Sequence, residues 1–454
     1  MASNTSTRTE IEALLQFIHS STEEAMSEYE KTGHGIPTSD STVSHPLDNK
    51  PGALALRKAI RTLEAACEQL CTTLAQPMHT LVNRAMPYEA PCLKFVAEER
   101  IADILEASPN GVKGMHIDDI ATSTQNKFAS DKVGQVMLLL STRGCFREVS
   151  KDVYANNRIS LSLLSTNPIS STIALLSGEL LQGVTMLHEA MVHPEYAFSR
   201  AGNRTGYSYL LRNEMPNASY FDWINANRFQ RSMVGFSQIS GSSEAVLQVY
   251  PWDSALSSRK DFLTFCDVGS GPGAVALSLS KFYTDKFRVT LQDLSEPLEQ
   301  AKTVWSVEYP KADVAFVPMD FLKESPVAGQ DFYFLSHIVH DWPDSDAVTI
   351  LTNVAKAMSD TSRAILHEVV LEHVQGEPDE EGLGSNEKAN PPLLPNYGSG
   401  NVRPYNYNIV RCVSKSQFPS LEDDAQIPYH PLAHARNGTF NNGERTRETF
   451  ILLG

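Results

Sequence analysis

The sequence predicts an α/β fold: a parallel sheet covered by helices on both faces, preceded by a largely helical region with a small winged-helix element. Three observations carry that expectation. From Asp261 onward, short apolar runs alternate with stretches of helical period. Glycines at 269, 271 and 273 join the first such run to the first such helix. Between Ala53 and residue 250 the apolar spacing is mostly helical.

Taken in order, residues 1–52 are rich in Ser and Thr and read as disordered or weakly helical, with one helical signal around Ile11–Tyr29. Thr32–Gly52 holds three Gly and three Pro and reads as a linker. Helical spacing returns at Leu56, Ile60, Leu63, Cys67 and Leu70, and again over Leu93–Ala107. A short helix at His116–Thr122 precedes a longer one at Lys132–Thr142, with Ser130 and Asp131 as candidate caps and Gly144 as its stop. The alternating stretch from Cys145 to Asn157 then reads as a β wing. Residues 166–250 are read as a helical connector whose aromatics could line a pocket. The strands that follow are Phe262–Val268, Arg288–Leu294, Val314–Val317, Phe332–Ile338 and Ala364–Leu371; the helices are Ala274–Tyr283, Pro297–Tyr309 and Pro343–Met358.

Composition excludes several classes. The 454 residues are 41% hydrophobic and 20% charged, with a net charge of −16. A sizeable core is affordable, and general nucleic-acid binding is disfavoured because phosphates demand concentrated Lys and Arg. The helix Lys132–Thr142 carries one base, Lys132, so a structural or dimer-forming wing outweighs a groove reader. No apolar run reaches the roughly 18 residues of a membrane span. The polar N-terminus lacks a secretory core, so the cytoplasm is the expected location. Six sparse cysteines make neither a disulfide framework nor a metal finger.

The strongest local signal is Asp267-Val-Gly-Ser-Gly-Pro-Gly273. Glycines between a strand and a helix let backbone approach a ligand at the helix N-terminus. Gly269, Gly271 and Ala274 also satisfy the dinucleotide fingerprint, and Asp293 lies about 20 residues on, where a ribose-binding acid belongs. That acid serves any adenosine ligand. Asp267 beside the turn disfavours a pyrophosphate and favours a cationic ligand.

Together with Leu291-Gln-Asp-Leu294, Val317-Pro-Met-Asp-Phe321 and Ser336-His-Ile-Val-His-Asp-Trp-Pro-Asp344, this turn resembles the plant and fungal small-molecule O-methyltransferases, with fungal secondary-metabolite enzymes the nearest subgroup. The resemblance runs from about Ala53 to Leu371. It implies a Rossmann-like methyltransferase domain over 251–454, a winged-helix dimerisation domain over 53–165, a homodimer, S-adenosyl-L-methionine as methyl donor and an aromatic small-molecule acceptor. It also implies roles. Asp267, Gly269, Gly271, Gly273, Asp293, Asp320, Phe321 and Ser336 would surround the cofactor, although the family commonly carries Lys or Arg where Ser336 stands. Met233 would hold the acceptor ring, with Phe236 beside it.

The chemistry is an in-line displacement that needs the acceptor oxygen placed and its proton removed. His340, just past the fourth strand, is the candidate base; spacing alone leaves a packing histidine equally open, and the family pattern raises the catalytic role. Glu368 and Glu444 are the carboxylates the family implies for orienting it. His337 is the local competitor, within the expected strand. No His/Asp/Glu cluster shows metal-ligand spacing, so no metal is expected.

The C-terminal part departs from the family. Residues 372–440 are atypical: Glu372–Asn390 reads as an acidic loop, Tyr405–Ile409 as the start of a substrate helix, and Val410–Phe440 as lacking helical period. This last stretch is expected to be foreign sequence such as a retained intron, with a truncated end that leaves a sheet edge exposed. Two rivals follow: an NAD(P)-dependent oxidoreductase on the same glycine turn, and a catalytically inactive dimeric scaffold.

Overall fold

The computed structural model describes residues 4–48, 53–109, 111–199, 201–224, 226–240, 242–257, 261–342, 344–368, 371, 374, 388–414, 436–441 and 446–453. The chain forms two compact units. The first comprises Met1–Gln182, Ile224–Ile239 and Ala389–Val402; the second comprises Gly183–Trp223, Ser240–Lys388 and Arg403–Gly454.

In the first unit, Asn4–Glu30 is a full helix rather than a weakly helical segment. It lies along the helix Leu54–Leu74, where Leu14, Phe17 and Ile18 pack with Ala65, Ala66 and Leu70. Ala389, Leu393 and Tyr397 complete that cluster from far along the chain. Tertiary packing of this kind, more than propensity, stabilises helices in proteins. The winged-helix element is present. Its sheet has the order β1 (Met115–His116), β3 (Val153–Ala155), β2 (Arg147–Ser150). Val96, Ile101, Ile120, Val133, Met137, Leu140 and Tyr154 fill its core. The helix Ser130–Thr142 begins at Ser130, the first of its two candidate caps, two residues before the expected start at Lys132. Ala129 holds the cap position without a side-chain bond, and Asp131 sits in the first turn, where an acid complements the helix dipole. Gly144 follows with φ of 79°.

The second unit is built on a seven-stranded sheet. Its strands are β4 (Leu263–Val268), β5 (Phe287–Asp293), β6 (Val314–Pro318), β7 (Phe332–Ser336), β8 (Arg363–Glu368), β9 (Arg436–Asn441) and β10 (Thr446–Leu453), in the spatial order β6-β5-β4-β7-β8-β10-β9. All neighbours run parallel except β9, which is antiparallel to β10. Side chains alternate across a strand, so one sheet supports two cores. Phe265, Phe334 and Ile365 face one, with Trp252, Leu279 and Trp305. Cys266, Tyr333, Leu335 and Leu366 face the other, with Ile350 and Val354. The five strands expected from sequence agree with β4 to β8 to within three residues at each end.

The C-terminal expectations need correction. The helix Arg403–Ser414 runs past Ile409 into the stretch expected to lack helical period. The edge of β8 is not left open, because β10 pairs with it from Thr449↔Ala364 to Leu453↔Glu368. Residues 415–435 and Glu444, together with most of Glu372–Asn390, lie outside the described residues. No described helix is long and apolar enough to cross a membrane.

Candidate active site

In an open α/β sheet, ligands bind beyond the carboxyl ends of the strands, where the strand order reverses. Here that point lies between β4 and β7, the central neighbours from which the sheet grows in opposite directions. The glycine turn leaves β4, and the segment carrying His340 leaves β7.

The turn is held open by its backbone. Gly269, Gly271 and Gly273 all have positive φ. A Cβ on Gly269 would stand 2.5 Å from Ile338 Cδ1 and 3.3 Å from Phe321 Cε1, so the turn abuts both the His340 segment and the residue after Asp320. A Cβ on Gly271 would meet nothing within 4 Å. Backbone at that glycine therefore faces open space at the tip of β4. Asp293, at the end of β5, accepts the Gly271 N–H at 2.8 Å through Oδ2 and the Leu294 N–H at 2.7 Å through Oδ1. Burial raises its pKa, and those two N–H groups partly offset the rise.

Asp267 is more extreme. It is fully enclosed, and burial followed by the nearby charge of Asp293 pushes its pKa up to about 8. Such a carboxyl is poised to welcome a positive charge, which would restore its ionised form. Asp320 follows β6. Its carboxylate takes Lys323 Nζ at 2.8 Å and the Leu322 N–H at 3.0 Å. Phe321 meets Trp342 edge-on, with ring centroids 5.5 Å apart. The Ser336 hydroxyl at the end of β7 is 2.9 Å from His367 Nδ1.

Beyond Ser336 the chain bends sharply. His337 adopts φ of 56° while its N–H still donates to the His367 carbonyl at 2.9 Å. One 3₁₀ turn, Val339–Asp341, then presents His340. Glu368 ends β8 directly behind it. Its Oε2 lies 2.5 Å from His340 Nδ1, an ion-pair distance, and its Oε1 accepts the N–H groups of Ile338 at 3.1 Å and Val339 at 2.8 Å. Burial pushes the Glu368 pKa up, but His340, His337 and the Val339 N–H outweigh it, and the net shift is downward. A buried, ionised carboxylate thus braces an imidazole at the strand tips.

Comparison with known proteins fits this geometry. An O-methyltransferase domain model matches residues 215–385. "3-O-methyltransferase 2" of Phanerochaete chrysosporium is 36% identical over 413 residues, covering 88% of each chain. The chain belongs to the S-adenosylmethionine-dependent O-methyltransferase family.

"O-methyltransferase gedA" of Aspergillus terreus is 29% identical, with 76% of each chain covered. Among solved structures, that of OxaC superposes with a TM-score of 0.60 at 17% identity, covering 91% of this chain and 92% of that one. That likeness speaks for the fold. Family membership selects an S-adenosylmethionine-dependent O-methyltransferase over the nicotinamide oxidoreductase that the glycine turn alone allows.

Within the O-methyltransferase sheet, Asp267, Gly269, Gly271, Gly273, Asp293, Asp320, Phe321, Ser336, His340 and Glu368 all lie at or just past the carboxyl ends of β4 to β8. Met233 and Phe236 are half-buried on the helix Ala226–Ser240, largely part of the other unit. His337, expected within the strand as the competitor of His340, lies one residue past its end. His337 joins His340 and Glu368 in a cluster whose donor atoms lie within 4.8 Å of one another. Glu368 is on a different strand, so linear spacing does not reveal the cluster; the His-x-x-His pair at 337 and 340 is its only trace in the sequence.

Proposed function

We propose that this O-methyltransferase acts on a hydroxyl of an aromatic small molecule, phenolic or polyketide-like, with His340 as the general base. The observation that carries this reading is the placement of His340 at the switch point, braced by Glu368 and adjoining the glycine turn through Ile338. Oxygen as the acceptor atom is supported by the relatives' names, which specify 3-O- and 4-O-methyl transfer, and a flat aromatic acceptor by the aromatic-rich segment before residue 250.

The residues present fit S-adenosylmethionine. Gly271 leaves room for close backbone approach, Asp293 offers carboxylate lone pairs to ribose hydroxyls, and the enclosed Asp267 suits a cationic neighbour. Phe321 and Asp320 would flank the adenine, with Ser336 nearby. When bound, the cofactor supplies an electrophilic methyl on a good leaving group. His340 then has one task, to take the acceptor's proton as the oxygen attacks. Glu368 orients the imidazole and stabilises the imidazolium that results. Glu444 is a second family-pattern carboxylate for the same task. Met233 and Phe236 would hold the acceptor ring.

The domain reading belongs with this proposal: 53–165 as a dimerisation domain, 166–250 as connector and substrate region, and a cytoplasmic homodimer without a nucleic-acid partner. Labelled cofactor, a panel of phenolic acceptors and mass spectrometry test the activity. His340→Gln is expected to lower turnover about 10²- to 10⁴-fold, the usual contribution of a general base, while S-adenosylhomocysteine still binds. Turnover that survives His340→Gln would remove His340 from the mechanism.

A further inference from the structure

We propose that His337, His340 and Glu368 form a binding site for a divalent first-row transition cation, Zn²⁺ foremost, and that occupancy of this site silences methyl transfer. Binding stands on geometry alone; the silencing rests on the reading of His340 as base.

The donor set favours such a cation. Two imidazoles and a carboxylate bring their ligand atoms within 4.8 Å of one another. A tetrahedral zinc site with bonds near 2.0–2.1 Å places its ligand atoms about 3.4 Å apart, so the wider separations of the cluster would contract, and the 2.5 Å contact of Glu368 Oε2 with His340 Nδ1 would open wherever that nitrogen is the ligand atom. The backbone beneath the three ligands is anchored. The His337 N–H is tied to the His367 carbonyl at 2.9 Å, and its φ of 56° fixes the direction in which the side chain leaves. Glu368 is held by the N–H groups of Ile338 and Val339 through Oε1, and Oε2 is the oxygen facing His340. Asp341 Oδ1, 3.8 Å from His340 Nε2, adds negative charge beside the cluster. Mg²⁺ and Ca²⁺ demand oxygen ligands, so imidazole-rich donors discriminate against them.

The consequence for catalysis is direct. A coordinated His340 has committed a ring nitrogen to the cation, and Glu368 is drawn from its bracing role into the same shell. No bond is made or broken besides coordination, and chelation of the cation restores both groups.

The test uses the full chain, treated with chelator and dialysed, with Co²⁺ as the spectroscopic probe. Wild type is expected to develop visible ligand-field absorption that saturates at one Co²⁺ per chain, is displaced by Zn²⁺ and is unaffected by Mg²⁺. His337→Asn suits the left-handed backbone, since Asn tolerates positive φ. It is expected to weaken the Co²⁺ signal at least about tenfold, with S-adenosylhomocysteine binding and melting temperature as checks that the variant is folded. Turnover, scaled to each protein's own metal-free rate, should fall with Zn²⁺ in wild type and return on chelation; His337→Asn should need at least about tenfold more Zn²⁺. Absent ligand-field bands, or equal titrations of wild type and His337→Asn, would overturn the site and leave the methyltransferase reading intact. Bound Co²⁺ with undiminished turnover would instead support the site and refute His340 as base.

Discussion

Asp267 and His367 are both enclosed at the sheet, and burial moves them in opposite ways with respect to pH. The Asp267 carboxyl rises from an ordinary 3.8 to about 8, so across that window the unfolded chain has released a proton that the native state retains. Stability from this group is therefore lost as pH climbs. The His367 imidazole falls from 6.5 to about 4, mainly by burial, so here the unfolded chain holds the extra proton and stability grows as pH climbs through that interval. The two effects oppose each other up to pH 6.5, and only the Asp267 effect continues beyond it. Asp267→Asn removes the Asp267 trend and leaves that of His367. Its melting temperature relative to wild type should rise between pH 5 and pH 8 in the ligand-free protein. A constant difference across that range would mean that Asp267 is already ionised in the fold. Glu368→Gln belongs at this scale too. It keeps the shape of the brace and deletes its charge, so kcat should fall at least about tenfold with little change in S-adenosylhomocysteine affinity. Equal kcat in the two proteins would show that His340 needs no anionic partner.

Among the elements, the glycine turn and the His340 segment depend on each other. Gly269 combines φ of 71° with a Cβ position only 2.5 Å from Ile338 Cδ1. Gly269→Ala therefore carries a left-handed penalty of about 1–2 kcal/mol and an overpacking cost of about 1–3 kcal/mol. Pairing it with Ile338→Ala should relieve the second cost and not the first. Denaturant melts are then expected to show the double variant less destabilised than the sum of the two single variants. Strict additivity would separate the two segments. This scale also explains what the sequence disclosed. Strands β4 to β8 were readable because each is a short apolar run between turn residues, and the glycine turn because its signal is contiguous. The N-terminal helix was readable only in part, as the signal around Ile11–Tyr29, because part of the surface that stabilises it comes from Ala389, Leu393 and Tyr397. The cluster around His337 was hidden for the same reason: the carboxylate that completes it ends another strand. The pairing of β10 with β8 likewise has no local signature in Thr446–Leu453.

For the whole molecule, the order of segments matters as much as their packing. Deleting Arg436–Leu453 would strip β8 of one of its two neighbours, β10, and expose unpaired backbone along that side of the strand. Such an edge is a template for association, so the shortened chain should aggregate where the full chain stays dispersed, as light scattering would report. The interleaving of the two units gives a further expectation. Trp223, Trp252, Trp305 and Trp342 all belong to the second unit, so tryptophan fluorescence follows that unit while far-ultraviolet circular dichroism follows both. The two probes should trace one denaturation curve. Separated midpoints would show that each unit melts independently.

The cluster that joins Leu14 and Ala65 to Ala389 and Tyr397 bears on how this polypeptide is made. A ribosome that has released the first 182 residues has not yet synthesised the side chains that close their apolar surface. The N-terminal helices must wait, with that surface exposed to water and chaperones, until more than two hundred further residues have emerged. Expressing the first 182 residues alone would make that waiting state permanent.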